Sequence, residues 1–312
     1  MDFRSNFLSL LLLFLAVSTT AQVRSDADRR MNGPAEPFKI IGNIYYVGAS
    51  DVASYLITTK KGHILIDGGF EETAPRIEKN IEKVGFRLRD VKILLNNHAH
   101  YDHAGGLNYL RKNSGAMLLA NRQQAEALRR GGKNDFAYEN LLTFTPVEVD
   151  QVIKPDATIK LGSVKLKTIF TPGHTKGATT WVMSVNENGR KLRIVFQSSL
   201  SALPKYNLID NPLYPDHAED FRKTFTKLKE IKADVFLGSH AQFFKMKEKL
   251  EIWKTDKSRN PFIDPEGYRA FIERAKRAFE SKLSEQKQQK LSSFAFPLDP
   301  IGQNKHIDSR QP

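Results

Sequence analysis

Six residues whose side chains can bind a metal ion occupy three short segments of the sequence: His98, His100, Asp102, His103, His174 and His240. Four of them fall within the stretch NHAHYDHAGG at residues 97–106. Imidazole nitrogens and carboxylate oxygens are ligands that zinc accepts at neutral pH. A lone histidine is more often a hydrogen-bonded structural residue, but six ligand-type residues in similar settings favour a metal site.

The three segments each follow a stretch of apolar and β-branched residues typical of a buried strand: residues 91–95, 164–170 and 235–237. His98 and His100 lie two residues apart, so an extended backbone points both side chains to the same side. Gly105 and Gly106 then let the chain turn tightly behind them. Because loops at the edge of a sheet often carry function, we expect the ligands to gather at one such edge.

The composition excludes several other kinds of chemistry. The chain has 312 residues, no cysteine and a net charge of +13. Without cysteine there can be no disulfide scaffold, iron–sulfur cluster or cysteine nucleophile. The basic charge attracts anions in general. Since no RRM, KH, helix-turn-helix or basic-zipper signature accompanies that charge, we predict no nucleic-acid partner.

Residues 1–21 have the pattern of a secretory signal peptide. Arg4 is followed by the apolar run FLSLLLLFLAV at residues 7–17 and by small residues up to Ala21. A transmembrane helix needs about 20 apolar residues, so this run is too short to span a bilayer. An uncleaved membrane anchor is the alternative. We predict a periplasmic or secreted protein that has no membrane span after cleavage and is a monomer.

The remaining pattern predicts one α/β domain over residues 22–291. Predicted strands cover residues 44–47, 52–58, 63–66, 91–95, 116–119, 149–153, 158–161, 164–170, 179–185, 191–196 and 235–237. Predicted helices cover residues 72–84, 122–130, 216–231 and 265–287, with another beginning near Gly105. Strands and helices that recur twice favour two packed sheets with helices outside. Residues 292–312 have no periodic pattern and are predicted to be a mobile tail.

The arrangement His98-x-His100-x-Asp102-His103 resembles the metal-binding motif of the metallo-β-lactamase superfamily. The resemblance covers residues 40–244 and implies an αββα sandwich, in which two mixed β-sheets carry helices on their outer faces. It implies two zinc ions as cofactors, each held by three ligands. The first set of ligands is His98, His100 and His174, and the second is Asp102, His103 and His240.

The segment after the strand at residues 191–196 separates the branches of this superfamily. Lactonases and thioesterases of the superfamily place a metal-bridging aspartate there, whereas residues 197–199 read QSS. Subclass B3 β-lactamases lack that aspartate and use Asp, His and His in the second site, while the other subclasses need a cysteine. Segments that also resemble subclass B3 are residues 171–175, 199–202, 211–215 and 238–241. Asn96 and Asn97 depart from the pattern, because such enzymes more often carry Ser or Thr there.

The resemblance therefore implies a zinc-dependent β-lactamase (EC 3.5.2.6), which hydrolyses the amide bond of a small-molecule β-lactam with a metal-bound hydroxide. Asp102 would be catalytic as a ligand of the second metal. A lactonase, a thioesterase or a nuclease is the alternative function; charge alone favours the nuclease.

Five further residues are expected to act at the site, of which Ser199, Ser201 and Tyr206 receive their roles from the same resemblance. Ser199 and Ser201 correspond to serines that bind the substrate carboxylate, although both could be ordinary loop residues. Lys205 is a second candidate for that carboxylate. The Tyr206 hydroxyl is expected to contact the substrate or the developing oxyanion as a catalytic group. Asp67 is expected to brace the ligand loop without binding metal.

Overall fold

Two mixed β-sheets face each other in the structure, a computed structural model that describes residues 25–295. The first sheet has seven strands in sequential order. The pairs from the first to the fourth strand are antiparallel, and the pairs from the fourth to the seventh are parallel. These strands are β1 (Phe38–Ile41), β2 (Ile44–Tyr46), β3 (Tyr55–Thr59), β4 (Gly62–Ile66), β5 (Val91–Leu95), β6 (Met117–Ala120) and β7 (Gln151–Val152). The predicted signal peptide and residues 296–312 lie outside the described residues.

The second sheet has five strands in the order β12-β11-β10-β9-β8. Its strands are β8 (Thr158–Leu161), β9 (Val164–Phe170), β10 (Thr179–Glu187), β11 (Arg190–Gln197) and β12 (Val235–Gly238). The pair β11–β12 is parallel and the other pairs are antiparallel. Both sheets are therefore mixed, as the resemblance implied.

Eight α-helices accompany the sheets in the part of the chain that the structure describes. They are α1 (Asp26–Met31), α2 (Ala74–Lys83), α3 (Tyr101–Ala104), α4 (Leu107–Ser114), α5 (Arg122–Arg129), α6 (His217–Lys229), α7 (Met246–Thr255) and α8 (Pro265–Ala295). None of these helices combines the length and the apolar composition that crossing a membrane requires.

Successive side chains along the strands of the first sheet belong alternately to two hydrophobic cores. Leu56 pairs with Leu65 across β3 and β4, and both belong to a core shared with Ile77 of α2. Their neighbours Ile57 and Ile64 also pair, but they belong to the core between the two sheets. This follows because successive side chains of a strand point to opposite faces. The αββα sandwich is confirmed.

Most predicted elements are present, and the differences have physical causes. The predicted strand at residues 52–58 begins only at Tyr55, because Val52 leaves the first sheet and bridges to His240. α8 continues to Ala295, past the predicted end near Lys287, through glutamine and lysine residues that favour helix without an apolar pattern. α1 was not predicted because it has no apolar stripe; a capping box between Ser25 and Asp28 stabilises its start.

Candidate metal centre

The segments after β5, β9 and β12 bring all six predicted ligands together at one edge, between the two sheets; Asp102 and His103 lie on the short helix α3 and the other four on loops. The ligands from the first loop are buried, with His98 and His103 no more than 1% exposed. His174 is 4% exposed, and the side chain of His240 is 12% exposed. Burying so many imidazole rings is unfavourable in free energy unless their nitrogens have binding partners. The burial of this cluster therefore indicates a site that binds a ligand.

The first group of ligands is formed by three histidines. Ligand atoms of His98, His100 and His174 all lie within 4.8 Å of one another. Burial lowers the pKa of His98 and of His174 well below the ordinary value, which keeps both rings neutral. The buried Nε2 of His100 has no hydrogen-bond partner. Neutral imidazoles with free lone pairs are the form in which histidine binds metal.

The second group matches the coordination sphere of zinc in its dimensions. His103 Nε2 lies 3.2 Å from His240 Nε2, and Asp102 Oδ2 lies 3.2 Å and 3.5 Å from these two nitrogens. Zinc–nitrogen bonds of 2.0–2.1 Å place neighbouring ligands of a tetrahedral site about 3.3 Å apart. The three donor atoms therefore fit a zinc ion with little rearrangement.

Charge at the second group is also suited to a cation. Burial opposes ionisation of Asp102, but His103 and His240 hold the pKa of its carboxyl well below the usual range. Burial likewise opposes a charge on His103, but Asp102 and Asp67 raise its pKa to about 10. His103 thus carries a proton next to a carboxylate, and a metal ion would displace that proton on binding.

Three ligand histidines have an oxygen atom close to their second ring nitrogen. His174 Nδ1 lies 2.7 Å from the carbonyl oxygen of Ser201. His103 Nδ1 lies 3.3 Å from Asp67 Oδ2, and His240 Nδ1 lies 2.9 Å from Asp51 Oδ2. The hydrogen bonds at Nδ1 of His174 and His240 fix the tautomer whose Nε2 lone pair is free, so these two rings are oriented for metal binding. His103 Nδ1 has Asp67 as an ionic partner but makes no hydrogen bond.

Asp67 lies beneath the ligand loop, where it binds protein groups. It adopts a positive φ of 65° and is fully buried. Its Oδ1 accepts hydrogen bonds from the Asn97 amide at 2.6 Å and from Asn96 Nδ2 at 2.9 Å, and its Oδ2 accepts from Asn97 Nδ2 at 2.9 Å. Asn96 and Asn97, the departure from the family pattern, are therefore the residues that anchor this carboxylate.

Asp51 is a site residue that the sequence reasoning missed. Its Oδ1 accepts from the Gln242 amide at 2.9 Å, and its Oδ2 accepts from Gln242 Nε2 at 3.1 Å besides contacting His240. Burial raises its pKa, but the hydrogen bond and charge of His240 outweigh that effect and lower it. Asp51 is 189 residues from His240 in the sequence, so no local motif could connect the two.

A cavity of about 410 Å³ opens over the ligands. Ser199 and Ser201 contribute to its wall, as does Gln242. Its apolar lining residues are Met31, Tyr101, Tyr138, Leu142, Leu203 and Phe243. A small molecule with one polar end and an apolar body would match this lining.

The two remaining predicted site residues lie beside the cavity and do not line it. The buried Tyr206 hydroxyl donates to the carbonyl oxygen of His174 at 2.5 Å, so it faces the backbone of a ligand rather than the substrate space. Lys205 is exposed, with its ammonium group 5.7 Å from the ring centre of Tyr138.

Of the other histidines, His63 is buried between Phe86 and the end of β3, and His306 lies outside the described residues. His217 is buried beside the ligands, with its Nε2 2.9 Å from the carbonyl oxygen of Gly173, but it is in neither ligand group.

Comparison with known proteins identifies the family. Residues 47–183 match the model of the metallo-β-lactamase superfamily. A metallo-β-lactamase with a HARLDQ motif from Cronobacter sakazakii is 39% identical; the match covers 84% of this chain and 99% of that one, with a TM-score of 0.80. The chain belongs to the metallo-β-lactamase superfamily. BJP-1, a subclass B3 metallo-β-lactamase of Bradyrhizobium japonicum, is 35% identical over 84% of this chain and 99% of its own, with a TM-score of 0.80.

Curated members of the superfamily are more distant. The probable metallo-hydrolase YqgX of Bacillus subtilis is 27% identical over 43% of this chain, and the match spans only 62% of that protein. An N-acyl homoserine lactonase of Bacillus cereus is 24% identical over 59% of this chain and 79% of its own length. The comparisons and the histidine cluster together identify this chain as a metal-binding hydrolase of the metallo-β-lactamase fold.

Proposed function

We propose that this protein is a secreted subclass B3 β-lactamase that uses two zinc ions. The observation that carries the proposal is the donor set of the second group, in which Asp102, His103 and His240 converge without a cysteine or a bridging carboxylate. Among the described residues that line the cavity, Asp102 is the sole carboxylate. The similarity to solved subclass B3 enzymes over most of the chain supports the same function.

The segment after β11 supports this choice within the superfamily. Gln197 donates through Nε2 to the Ser198 carbonyl oxygen, and the Ser198 hydroxyl donates to the Asn97 carbonyl oxygen. The Ser198 bond joins this segment to the loop after β5, and neither side chain offers a charged oxygen for a metal bridge. Ser199, the next residue, lines the cavity with a neutral hydroxyl.

The chain's own residues have distinct tasks in such a reaction. When bound, two zinc ions would supply a nucleophile by lowering the pKa of water from 15.7 to about 7. Asp51 holds the ring of His240 in the tautomer that binds metal, and Asp67 is the ionic partner of His103 beneath the ligands. The hydroxyls of Ser199 and Ser201 can donate hydrogen bonds to the carboxylate that accompanies a β-lactam ring.

A lactonase is the second candidate because the curated relatives include N-acyl homoserine lactonases. Their 24% identity is lower than the 39% shared with a solved β-lactamase. Three substrates distinguish the possibilities: a chromogenic cephalosporin, an N-acyl homoserine lactone and a single-stranded oligonucleotide. We expect hydrolysis of the cephalosporin alone, its loss with EDTA and its return with zinc. Turnover of the lactone without the cephalosporin would overturn the proposal.

We further propose that the protein is exported and acts as a monomer. The support for export is the signal-like sequence of residues 1–21. Sequencing the N-terminus of the mature protein after cell fractionation tests export, and light scattering tests the assembly. An intact Met1 on a cytoplasmic protein would contradict export.

A further inference from the structure

The C-terminal half of α8 contacts the loop that leads away from the metal centre. Lys282, Gln286 and Lys290 are spaced four residues apart, so they share one side of the helix. The loop at residues 198–210, called here the substrate loop, contributes Ser199, Ser201 and Leu203 to the cavity wall. The contacts between α8 and this loop are made by residues 282, 286 and 290 of the helix.

Gln286 makes the central contact with both ends of its amide. Its Oε1 accepts a hydrogen bond from the Leu208 amide at 2.8 Å, and its Nε2 donates to the Tyr206 carbonyl oxygen at 2.7 Å. Lys282 Nζ donates to the Pro204 carbonyl oxygen at 3.0 Å, and Lys290 Nζ pairs with the Asp210 carboxylate. Alternate residues of the loop are therefore held by successive turns of one helix.

The helix itself is fixed to the protein, so it can act as a rigid support. Phe279 and Leu283 are 1% and 2% exposed and belong to the core. The Phe279 ring centre lies 5.0 Å from that of Phe221 on α6. Gln286 is only partly buried, and the contacts of its side chain are the two hydrogen bonds to the loop. Its contribution is to the position of the loop rather than to the core.

The substrate loop contacts His98 through the Ser198 hydroxyl and His174 through two further hydrogen bonds. The Ser201 carbonyl oxygen lies 2.7 Å from His174 Nδ1, and the Tyr206 hydroxyl donates to the His174 carbonyl oxygen. The part of the loop between these two residues carries Leu203, which lines the cavity. Ser201 and Leu203 belong to this loop, whereas all six metal ligands lie on other segments, so the position of the loop determines the cavity wall directly.

We propose that Gln286 is a specificity-determining positioning residue, which fixes the substrate loop so that Ser201 and Leu203 keep their places in the cavity wall. The inference rests on the proposed function only for the identity of the substrate. Loss of its two hydrogen bonds leaves the loop free to sample other conformations. The consequence is weaker binding of substrates that contact the wall, with the metal centre intact.

The test compares Gln286→Ala and the near-isosteric Gln286→Glu with Gln289→Ala, a control on the exposed side of the same helix. In Gln286→Ala we expect hydrogen exchange at the Leu208 amide to be about three- to tenfold faster. For whichever β-lactam the natural protein hydrolyses, KM should rise by a similar factor in both Gln286 variants with kcat nearly constant. Zinc content should be unchanged, and Gln289→Ala should match the natural protein in every measurement.

The inference would be overturned if the Leu208 amide exchanged its hydrogen at the same rate in Gln286→Ala as in the natural protein. An unchanged KM in both Gln286 variants would also overturn it. A change confined to kcat and zinc content would also overturn it. If the protein hydrolyses no β-lactam at all, the proposed function fails, but the exchange measurement still tests the contact between α8 and the loop.

Discussion

At the scale of single residues, the metal ligands depend on carboxylates that never touch the metal. Asp51 accepts a hydrogen bond from His240 Nδ1, Asp67 lies 3.3 Å from His103 Nδ1, and both carboxylates are themselves held by backbone and side-chain amides. The ligands could be predicted because four lie within one short motif. Asp51 could not be, because it belongs to the loop before β3 and meets His240 only when the two sheets pack together.

The Asp51→Asn variant tests whether this contact sets the affinity of the second metal. An amide presents one acceptor in place of two, so either His240 Nδ1 or Gln242 loses its partner. We expect zinc affinity at the second site to fall by about 10–100-fold, with the first site unchanged. Titration of the metal-free protein against a chromophoric zinc chelator measures both affinities.

The matched control for this prediction is Asp156→Asn, which changes an exposed carboxylate paired with Lys167 on the outside of the second sheet. Its zinc affinity at each of the two proposed sites should equal that of the natural protein. If Asp51→Asn bound zinc at the second site as tightly as the natural protein, the ring of His240 would be oriented by packing alone.

The serines of the cavity wall make a separate prediction about substrate binding. Replacing Ser199 and Ser201 together by alanine removes two hydroxyls but keeps the Ser201 carbonyl oxygen that holds His174. Hydrogen bonds to a charged group contribute about 1.5–3 kcal/mol, so KM for a penicillin should rise about tenfold or more while kcat changes little. Steady-state kinetics measures this, with Ser184→Ala on the exposed side of β10 as control. Unchanged KM would make both serines ordinary loop residues.

At the scale of elements, strands with strong local patterns could be predicted from the sequence, and segments determined by tertiary contacts could not. β5, β8 and β9 have their predicted bounds because β-branched and apolar residues define both ends. β3 starts late because Val52 and Ala53 bond to the loop that carries His240. The hydroxyl of Tyr206 faces a ligand carbonyl for the same reason: its partner comes from another loop, which the residue type cannot reveal.

Gly68, which follows Asp67, packs closely against Gly106, which follows the first four ligands in the sequence. This contact leads to a prediction about Gly106. A Cβ atom at Gly106 would lie 2.2 Å from the Gly68 carbonyl oxygen, so the backbone next to Asp67 would have to move. We expect Gly106→Ala to reduce the free energy of unfolding by about 2–4 kcal/mol and to lower zinc affinity. Chemical denaturation and zinc titration measure the two effects.

Gly115→Ala is the control for that experiment. Gly115 ends α4 with a φ of 69°, and a Cβ atom there would meet nothing within 4 Å. Its replacement should cost about 1–2 kcal/mol through backbone strain alone and leave zinc affinity natural. If both variants bound zinc equally tightly, the contact between Gly68 and Gly106 would have no role at the metal centre.

At the scale of the whole molecule, the hydrophobic cores and the metal centre are separate contributions to stability. One core lies between the sheets and the other under α2 and α4, and neither contains a metal ligand. The ligands occupy loops at one edge, where five imidazoles and a carboxylate replace apolar packing. The fold should therefore persist without metal, unlike a small zinc domain that unfolds when its ion is removed.

Removal of zinc should accordingly lower the melting temperature without abolishing the fold. A ligand at 100 times its dissociation constant stabilises the folded state by about 2.7 kcal/mol per site, which in a domain of this size raises the melting temperature by roughly 5–10 °C. Circular dichroism of chelator-treated protein should retain the secondary structure and show a melting temperature that rises with added zinc. The double variant His98→Ala with His103→Ala, which loses one ligand from each group, is the control and should not respond to zinc. A chelated protein that lost its secondary structure at 25 °C would show that the cores cannot hold the sandwich together without the metal centre.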